Sequence, residues 1–278
     1  MMNPVLSVKD LLIDPSSWII IDCRHQLSDP DWGYQQYLEG HLPNARFVHL
    51  DNDLSGPKTG LNGRHPLPSP EQLISLFRRL GISQHSKVVA YDDMGGCFAA
   101  RCWWSLKWLG FDQVAVLNGG IQSWLKAGGE LSYSLPTVIP GDFEGQPQSG
   151  WVVGAAEVLE NLNSEHYLLV DARGSDRFRG DNETIDPVGG HIPGAVNRPF
   201  MNNLDEHKCF KSPLELHKEF SELTVSEAKR PIIHQCGSGV SACHNWLAMH
   251  YAGVTTPLLL YPGSWSEWVA DPLRPIAK

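Results

Sequence analysis

The sequence predicts an α/β protein built from two copies of one domain, each a parallel β-sheet flanked by α-helices. Two observations lead to this fold class. Short runs of β-branched and aliphatic residues alternate with amphipathic stretches, and the whole series of features occurs twice in the same order. Such alternation favours parallel strands joined by right-handed helical crossovers.

The repeat consists of four pairs of matching motifs that keep their order along the chain. The pairs are WIIIDCR and YLLVDAR (18–24, 167–173), EGHLPNA and GGHIPGA (39–45, 189–195), KVVAYDDMGG and PIIHQCGSG (87–96, 231–239), and NGGIQSW and PGSWSEW (118–124, 262–268). Segment 134–150 between the copies is rich in Pro and Gly, which is typical of a linker. The predicted domains are therefore residues 1–133 and 151–278.

Each copy contains the same kinds of element in the same order. The predicted strands are 19–22, 88–91 and 114–117 in the first copy, and 168–171, 231–234 and 258–260 in the second. Stretches 71–80 and 99–109 carry apolar residues at helical spacing. Ligands of open parallel sheets bind beyond the carboxyl ends of strands, so the loops after the strands are where a site is expected.

Charge and composition exclude several classes of protein. The chain has 22 Lys and Arg against 31 Asp and Glu, a formal charge of −9, which disfavours a nucleic-acid partner. The first fifteen residues lack the basic and apolar regions of a signal peptide, and no apolar run reaches the roughly 18 residues of a membrane span. Six cysteines without a C-x-x-C pair argue against a disulfide framework or a zinc ribbon. We expect a cytoplasmic protein with reduced thiols and no membrane partner.

One cysteine stands in a position typical of a reactive group. The predicted strand PIIH runs through Gln235 into Cys236, then Gly237, Ser238 and Gly239, and a helical pattern follows. Two glycines in three positions allow backbone N–H groups to converge, and the helix start adds partial positive charge. Such a loop stabilises an anion, whether a thiolate or a persulfide. The alternative is a buried thiol that only packs.

The first copy provides an internal comparison for this cysteine. A gapless alignment of the two copies places Asp93 at the position of Cys236. A position that only needed packing would carry another small apolar residue rather than a carboxylate. We therefore expect a functional Cys236 and an inactive first copy.

The DxR, GHIPGA, Cys236 and GSW motifs resemble those of the tandem rhodanese-domain sulfurtransferases over essentially the whole chain. The loop CGSGVSAC is similar to the CGSGV loop of 3-mercaptopyruvate sulfurtransferases, rather than to the CRKGV loop of thiosulfate-preferring rhodaneses. The resemblance implies that Cys236 takes sulfur from 3-mercaptopyruvate as a persulfide, without a metal or cofactor. The acceptor would be cyanide or a thiol, such as thioredoxin or a small thiol. Thiosulfate remains the alternative donor.

The resemblance also implies roles for other residues. Ser238, His65 and Asp51 would form a relay that manages the thiol proton. Arg177 would bind the donor carboxylate through a two-pronged hydrogen bond. The loop residues that contact the substrate would be Gly237, Gly239 and Val240.

Several alternatives stay open or are disfavoured at this stage. A second substrate arginine that the family carries is missing here, where Thr184 stands, and Arg179 or Arg198 are candidates to replace it. A cysteine phosphatase needs an arginine six residues after the cysteine, where this chain has Ala242. The Gly-Ser-Gly loop lacks the third glycine of a dinucleotide fingerprint. A further alternative is an interaction module with two inactive copies.

Two sets of histidines are further candidates for a functional role. His234 and His244, with Cys236 and Cys243, lack the paired spacing of metal ligands, so no metal site is expected. The histidines of the two HLP and HIP turns, His41 and His191, occur in both copies. We therefore expect them to stabilise turns.

Overall fold

The computed structural model describes residues 2–224 and 230–278. The strands are β1 Val5–Leu6, β2 Trp18–Asp22, β3 Arg46–Phe47, β4 Lys87–Tyr91, β5 Val114–Leu117, β6 Leu168–Asp171, β7 Val196–Asn197, β8 Ile232–Gln235 and β9 Leu258–Leu260. The helices are α1 Val8–Ile13, α2 Trp32–Glu39, α3 Pro70–Arg79, α4 Ala99–Trp108, α5 Gly120–Lys126, α6 Ala155–Ser164, α7 Ser175–Arg179, α8 Pro213–Thr224, α9 Ser241–Tyr251 and α10 Ser264–Trp268.

The strands form two parallel sheets, as the repeat predicts. The first sheet has the order β1-β5-β4-β2-β3 and the second β7-β6-β8-β9. In both, the longest strands lie in the middle and are buried on both faces, as is usual for parallel sheets covered by helices. The predicted fold class is confirmed.

The DxR motif forms the same Asp–Arg ion pair at the end of one strand in each sheet. At the end of β2, the carboxylate of Asp22 accepts hydrogen bonds from the guanidinium of Arg24, which also donates to the Gly40 carbonyl. At the end of β6, Asp171 and Arg173 repeat this arrangement. These charges are buried in pairs, which is the condition under which burial of charge is tolerated.

The predicted turn histidines make local contacts of the kind expected. The His41 ring stacks on Tyr37 at 4.2 Å between centroids, and the His191 ring stacks on Phe178 at 3.8 Å. Each ring also bonds through Nδ1 to a nearby backbone carbonyl.

The chain divides into two compact units that are not simple halves of the sequence. The first comprises the chain up to Gly56, Pro68–Gln148 and Glu206–Phe210. The second comprises Pro57–Leu67, Ser149–Asp205 and the chain from Lys211. Each unit thus contains a segment taken from the other half of the sequence. The domain bounds predicted above, with the linker 134–150, stay a prediction about the repeat.

Helix length bears on membrane insertion. Across residues 2–224 and 230–278, none of the helices combines the length and apolar character that crossing a bilayer requires.

Candidate active site

Cys236 begins a tight loop directly after β8, and the start of α10 holds this loop in place. Its N–H donates to Ser264 Oγ at 3.0 Å, and its carbonyl accepts from the Trp265 N–H at 3.0 Å. The next carbonyl, of Gly237, accepts from the Ser266 N–H at 2.9 Å. Cys236 is 2% exposed, so it is buried rather than on an open surface.

The second half of the loop turns the chain into α9. Gly239 has φ +75°, and a Cβ added there would lie 2.3 Å from the Pro262 carbonyl oxygen, so this position requires glycine. The Gly239 carbonyl accepts a hydrogen bond from Cys243 Sγ at 3.3 Å, and the Val240 carbonyl accepts from the Cys243 N–H. Cys243 therefore supports the loop from within α9.

Ser238 and His65 form a hydrogen-bonded pair, although 173 residues separate them in the sequence. Ser238 Oγ lies 2.7 Å from His65 Nδ1, and both side chains are buried. His65 belongs to the segment Pro57–Leu67, which is part of the same compact unit as the Cys236 loop. The structure thus brings together two members of the predicted relay.

Asp51, the third predicted member of the relay, belongs to the first unit. There its Oδ2 lies 3.7 Å from His25 Nε2, and its N–H donates to His49 Nδ1 at 3.0 Å. Among the described residues, His25, His49 and Asp51 are the one group of three potential metal ligands, with donor atoms within 4.8 Å of one another. The Asn52 N–H also donates to His49 Nδ1, so the turn itself orients this ring. The role of Asp51 in the relay stays a prediction.

Arg177 lies beside the Cys236 loop and is held by two buried carboxylates. Its Nε and Nη2 donate to Glu183 at 2.9–3.2 Å, and Nη2 also lies 3.2 Å from Asp186 Oδ2. The side chains of Glu183 and Asp186 are 4% and 2% exposed. Both terminal nitrogens of Arg177 lie 3.6 Å from the point where a Cβ on Gly237 would stand.

Arg64 is a second guanidinium at this loop, and the sequence analysis missed it. Its Nη1 makes a close ion pair with Asp186, and its Nη2 lies 2.9 Å from the Cβ point of Gly237. Burial and the neighbouring Arg177 lower the pKa of Arg64, while the negative form of Cys236 opposes this shift. The available signal in the sequence was an arginine directly before the predicted site residue His65.

The two arginines considered as replacements for the missing one are engaged elsewhere. Arg179 pairs with Asp181, and its side chain is 58% exposed. Arg198 pairs with Glu219 at 2.6 Å, and its guanidinium lies 5.0 Å from the centroid of the Phe220 ring.

The register of the sheets corrects the predicted equivalent of Cys236 in the first copy. Asp22 lies opposite Tyr91, and Asp171 lies opposite Gln235, so the residue after Tyr91 corresponds to Cys236. That residue is Asp92, not Asp93. The gapless alignment was wrong by one position because the loop before α4 (92–98) is two residues longer than the loop before α9 (236–240), while α4, with 10 residues, is one shorter than α9, with 11.

Asp92 fills the loop of the first copy with its own carboxylate. Oδ1 accepts from the N–H groups of Met94 and Gly96, both at 2.8 Å, and Oδ2 from those of Phe98 and Ala99, at 2.7 and 2.9 Å. A strand-to-helix loop of this fold can therefore hold an anion with backbone N–H groups alone.

The sequence of the chain is similar to that of a known domain family and of several known proteins. The protein-family model described as "Rhodanese-like domain" matches residues 6–127 and 154–271. The chain is 46% identical over 261 residues to a probable 3-mercaptopyruvate sulfurtransferase of Pseudomonas aeruginosa, covering 93% of this chain and 92% of that protein. It is 38% identical over 241 residues to a thiosulfate sulfurtransferase of Bos taurus, covering 84% and 79%.

A solved structure extends the agreement to three dimensions. The 3-mercaptopyruvate sulfurtransferase from Leishmania major superimposes with a TM-score of 0.86 at 30% identity, covering 98% of this chain and 75% of that one. The predicted resemblance is confirmed at the level of sequence and of fold. The chain belongs to the rhodanese family and carries two rhodanese-like domains.

Proposed function

We propose that this protein is a sulfurtransferase that moves sulfur from 3-mercaptopyruvate, through a persulfide on Cys236, to a thiol or to cyanide. One observation carries the proposal. Cys236 lies in a loop closed by backbone hydrogen bonds, and the loop is flanked by a Ser–His pair and by two guanidinium groups. This combination supplies a nucleophile, a proton acceptor and anion-binding groups within one compact unit.

The proposed reaction has two steps, formation of a persulfide on Cys236 and transfer of its outer sulfur to an acceptor. The Cys236 thiolate attacks the donor sulfur, an S–S bond forms, and the C–S bond of mercaptopyruvate breaks. The electron pair of that bond goes to carbon as the enolate of pyruvate, which takes up a proton. An acceptor thiolate then attacks the outer sulfur of the persulfide and regenerates Cys236.

The residues around the loop have separate tasks in this scheme. His65, through its hydrogen bond to Ser238, takes the thiol proton and returns one to the enolate. The resemblance adds Asp51 as the carboxylate that orients the histidine. Backbone groups at Gly237, Gly239 and Val240 hold the persulfide, and Arg177 binds the donor carboxylate.

The charges at the site favour mercaptopyruvate over thiosulfate. Arg64 and Arg177 are already partly neutralised by Glu183 and Asp186. A donor with one carboxylate can use the directed N–H groups of the guanidinium ions. A compact dianion would need a larger excess of positive charge than these residues supply. The chain is similar to relatives named for either donor, so the test compares both donors.

The test is the intact mass of the protein after brief exposure to each donor. We expect wild type to gain one sulfur atom from mercaptopyruvate and to release pyruvate, and Cys236→Ser to gain none. Cys209→Ser is the matched control, because Cys209 is a more exposed thiol outside the loop and its loss should leave the gain intact.

The other possible results of the mass measurement also decide between functions. Sulfur gained from thiosulfate alone would keep the enzyme class and change the donor. No gain from either donor would contradict the proposal and favour an interaction module. Transfer from the persulfide to thioredoxin, a small thiol or cyanide then identifies the acceptor.

A further inference from the structure

We propose that Arg64 is the second guanidinium that binds the donor carboxylate, in place of the arginine that the family carries near position 184. The carboxylate would lie over Gly237, between Arg64 and Arg177. This inference rests on the proposed function, because it specifies how the same site recognises its donor.

The space above Gly237 is where the two arginines converge. A Cβ at Gly237 would stand 2.9 Å from Arg64 Nη2 and 3.6 Å from both Arg177 Nη1 and Nη2, and these nitrogens are the three nearest heavy atoms outside the adjoining chain. Both guanidinium groups therefore border the same side of Gly237 Cα, and a carboxylate lying over that side could accept hydrogen bonds from both. A side chain at position 237 would have to displace Arg64, so glycine lets both guanidinium groups reach the loop.

A buried carboxylate holds the two arginines side by side. Asp186 pairs with Arg64 through Oδ1 and with Arg177 through Oδ2. This bridge offsets the repulsion between the like charges, and it uses Nη1 of Arg64 so that Nη2 points to the loop. Glu183 accepts from Nε and Nη2 of Arg177, so Nη2 is shared with Asp186 and Nη1 makes neither contact. Two guanidinium groups are thus oriented before any donor binds, which lowers the entropy lost on binding.

The backbone of Arg64 is tied to the same turn that holds the Cys236 loop. Its N–H donates to Ser266 Oγ at 3.0 Å, while the Ser266 N–H donates to the Gly237 carbonyl. One serine therefore sets the position of Arg64 relative to the loop. The side chain of Arg64 is 27% exposed, so a donor can reach it.

The experiment compares two donors that share the same sulfur chemistry. Mercaptopyruvate carries the carboxylate, whereas mercaptoacetone has the same S–CH₂–C=O group with a methyl in its place. For Arg64→Met, we expect the half-saturating concentration of mercaptopyruvate for persulfide formation to rise about 10- to 100-fold, the effect of losing one charge-assisted hydrogen-bonding group. The rate with mercaptoacetone should stay within about twofold of wild type.

Two further variants make the result specific. Arg64→Lys keeps the charge and the contact with Asp186 but loses the planar fork, so it should give an intermediate rise. Arg179→Met removes an exposed arginine of α7 and should behave as wild type. Thermal unfolding of each variant checks that it is folded.

The outcomes separate this inference from the proposed function. If wild type takes up sulfur from mercaptopyruvate and Arg64→Met slows both donors equally, Arg64 does not read the carboxylate and the inference is wrong, while the proposed function stands. If Arg64→Met leaves both donors unaffected, the inference is equally wrong. A wild-type protein that takes up no sulfur from mercaptopyruvate overturns both.

Discussion

Gly237 and Gly239 stand two residues apart in the Cys236 loop but are required for different physical reasons. Gly239 has a left-handed backbone, and its missing side chain faces the Pro262 carbonyl. The missing side chain of Gly237 faces the mobile end of an arginine instead. A methyl group at position 239 must therefore distort backbone, whereas one at 237 need only displace Arg64.

The two alanine variants should separate stability from catalysis. Gly239→Ala should lower the free energy of unfolding by at least about 1 kcal/mol, the strain of a left-handed alanine, with the steric clash added. Gly237→Ala should leave stability nearly unchanged but slow persulfide formation from mercaptopyruvate. Urea denaturation and the intact-mass assay measure the two effects. Equal losses of stability in both variants would contradict this distinction.

His234, in the middle of β8, is a buried imidazole whose ring nitrogens have no hydrogen-bond partner among the described residues. Burial lowers its pKa from 6.5 to about 3. The unfolded chain therefore takes up a proton at a pH where the folded protein does not. It follows that the folded state loses stability as the pH falls below about 6.5, and that the loss continues down to about pH 3.

A variant without this imidazole should be less sensitive to acid. Between pH 7 and pH 5, the contribution of His234 amounts to about 2 kcal/mol of unfolding free energy. His234→Leu should lose about that much less stability than wild type over this range, measured by urea denaturation at both pH values. His85→Gln, a change at an exposed histidine, is the control and should follow wild type. Parallel pH curves for His234→Leu and wild type would refute the assignment.

At the scale of elements, the two strand-to-helix loops occupy equivalent places in the two sheets but carry different chemical groups. The loop after β4 binds the carboxylate of Asp92 with four backbone N–H groups, and burial still raises the pKa of this carboxyl. The loop after β8 carries a thiol at the equivalent position. The first loop is thus closed by its own side chain, whereas in the proposed function the equivalent position of the second loop carries the reacting sulfur.

Neighbouring acidic residues of the first loop should respond in opposite directions. Asp92→Ala leaves four N–H groups, three of them in buried hydrogen bonds, without their acceptor and should lower the unfolding free energy by about 3 kcal/mol or more. Burial and the nearby Asp92 raise the pKa of Asp93 to about 6, so its negative form is unfavourable in the folded protein. Asp93→Asn should therefore stabilise the protein at pH 8 and have little effect at pH 4. Denaturation at both pH values tests the pair.

The same loops show which parts of the fold could be predicted from the sequence and which could not. Buried central strands and long amphipathic helices were predictable because their periodicity is local, and β4, β5, β6 and β9 lie within a residue of the predicted ranges. The two-residue strands β1, β3 and β7 carry too few residues to show a pattern. The gapless alignment named Asp93 instead of Asp92, because loop length is not fixed by strand or helix periodicity.

The residues of the candidate site also differ in whether the sequence could indicate them. Cys236 and its glycines were recognisable because strand, turn and helix follow one another in sequence. Arg64, Glu183 and Asp186 were missed, since charged residues in loops carry no periodic signal. Their importance depends on contacts such as that of Arg64 with Asp186, which join positions 122 residues apart.

At the scale of the whole molecule, the exchange of segments makes the second unit depend on the first half of the chain. Pro57–Leu67 supplies Arg64 and His65 to the unit that carries Cys236. In the other direction, Glu206–Phe210 joins the first unit, where the Phe210 N–H donates to Asn118 Oδ1 at 2.8 Å. Neither unit is complete within a continuous stretch of sequence.

Replacing each exchanged segment separately by a Gly-Ser linker of equal length should have different effects on the rate of persulfide formation. Without residues 57–67, we expect persulfide formation to slow by about 100-fold or more, the usual contribution of a positioned acid-base group. Without residues 206–210, the rate should stay within a few-fold of wild type. Circular dichroism would check that both proteins keep their sheets. Comparable rates in the two proteins would show that segment 57–67 does not serve the reaction.

The exchange also bears on the history of the duplicated gene. A domain that had merely lost its thiol could be deleted once its partner was self-sufficient. Here, deletion of the first copy would also remove Arg64 and His65, which belong to the unit that contains Cys236. The second unit therefore cannot be inherited without the first half of the chain, and the two copies pass on together as one gene product.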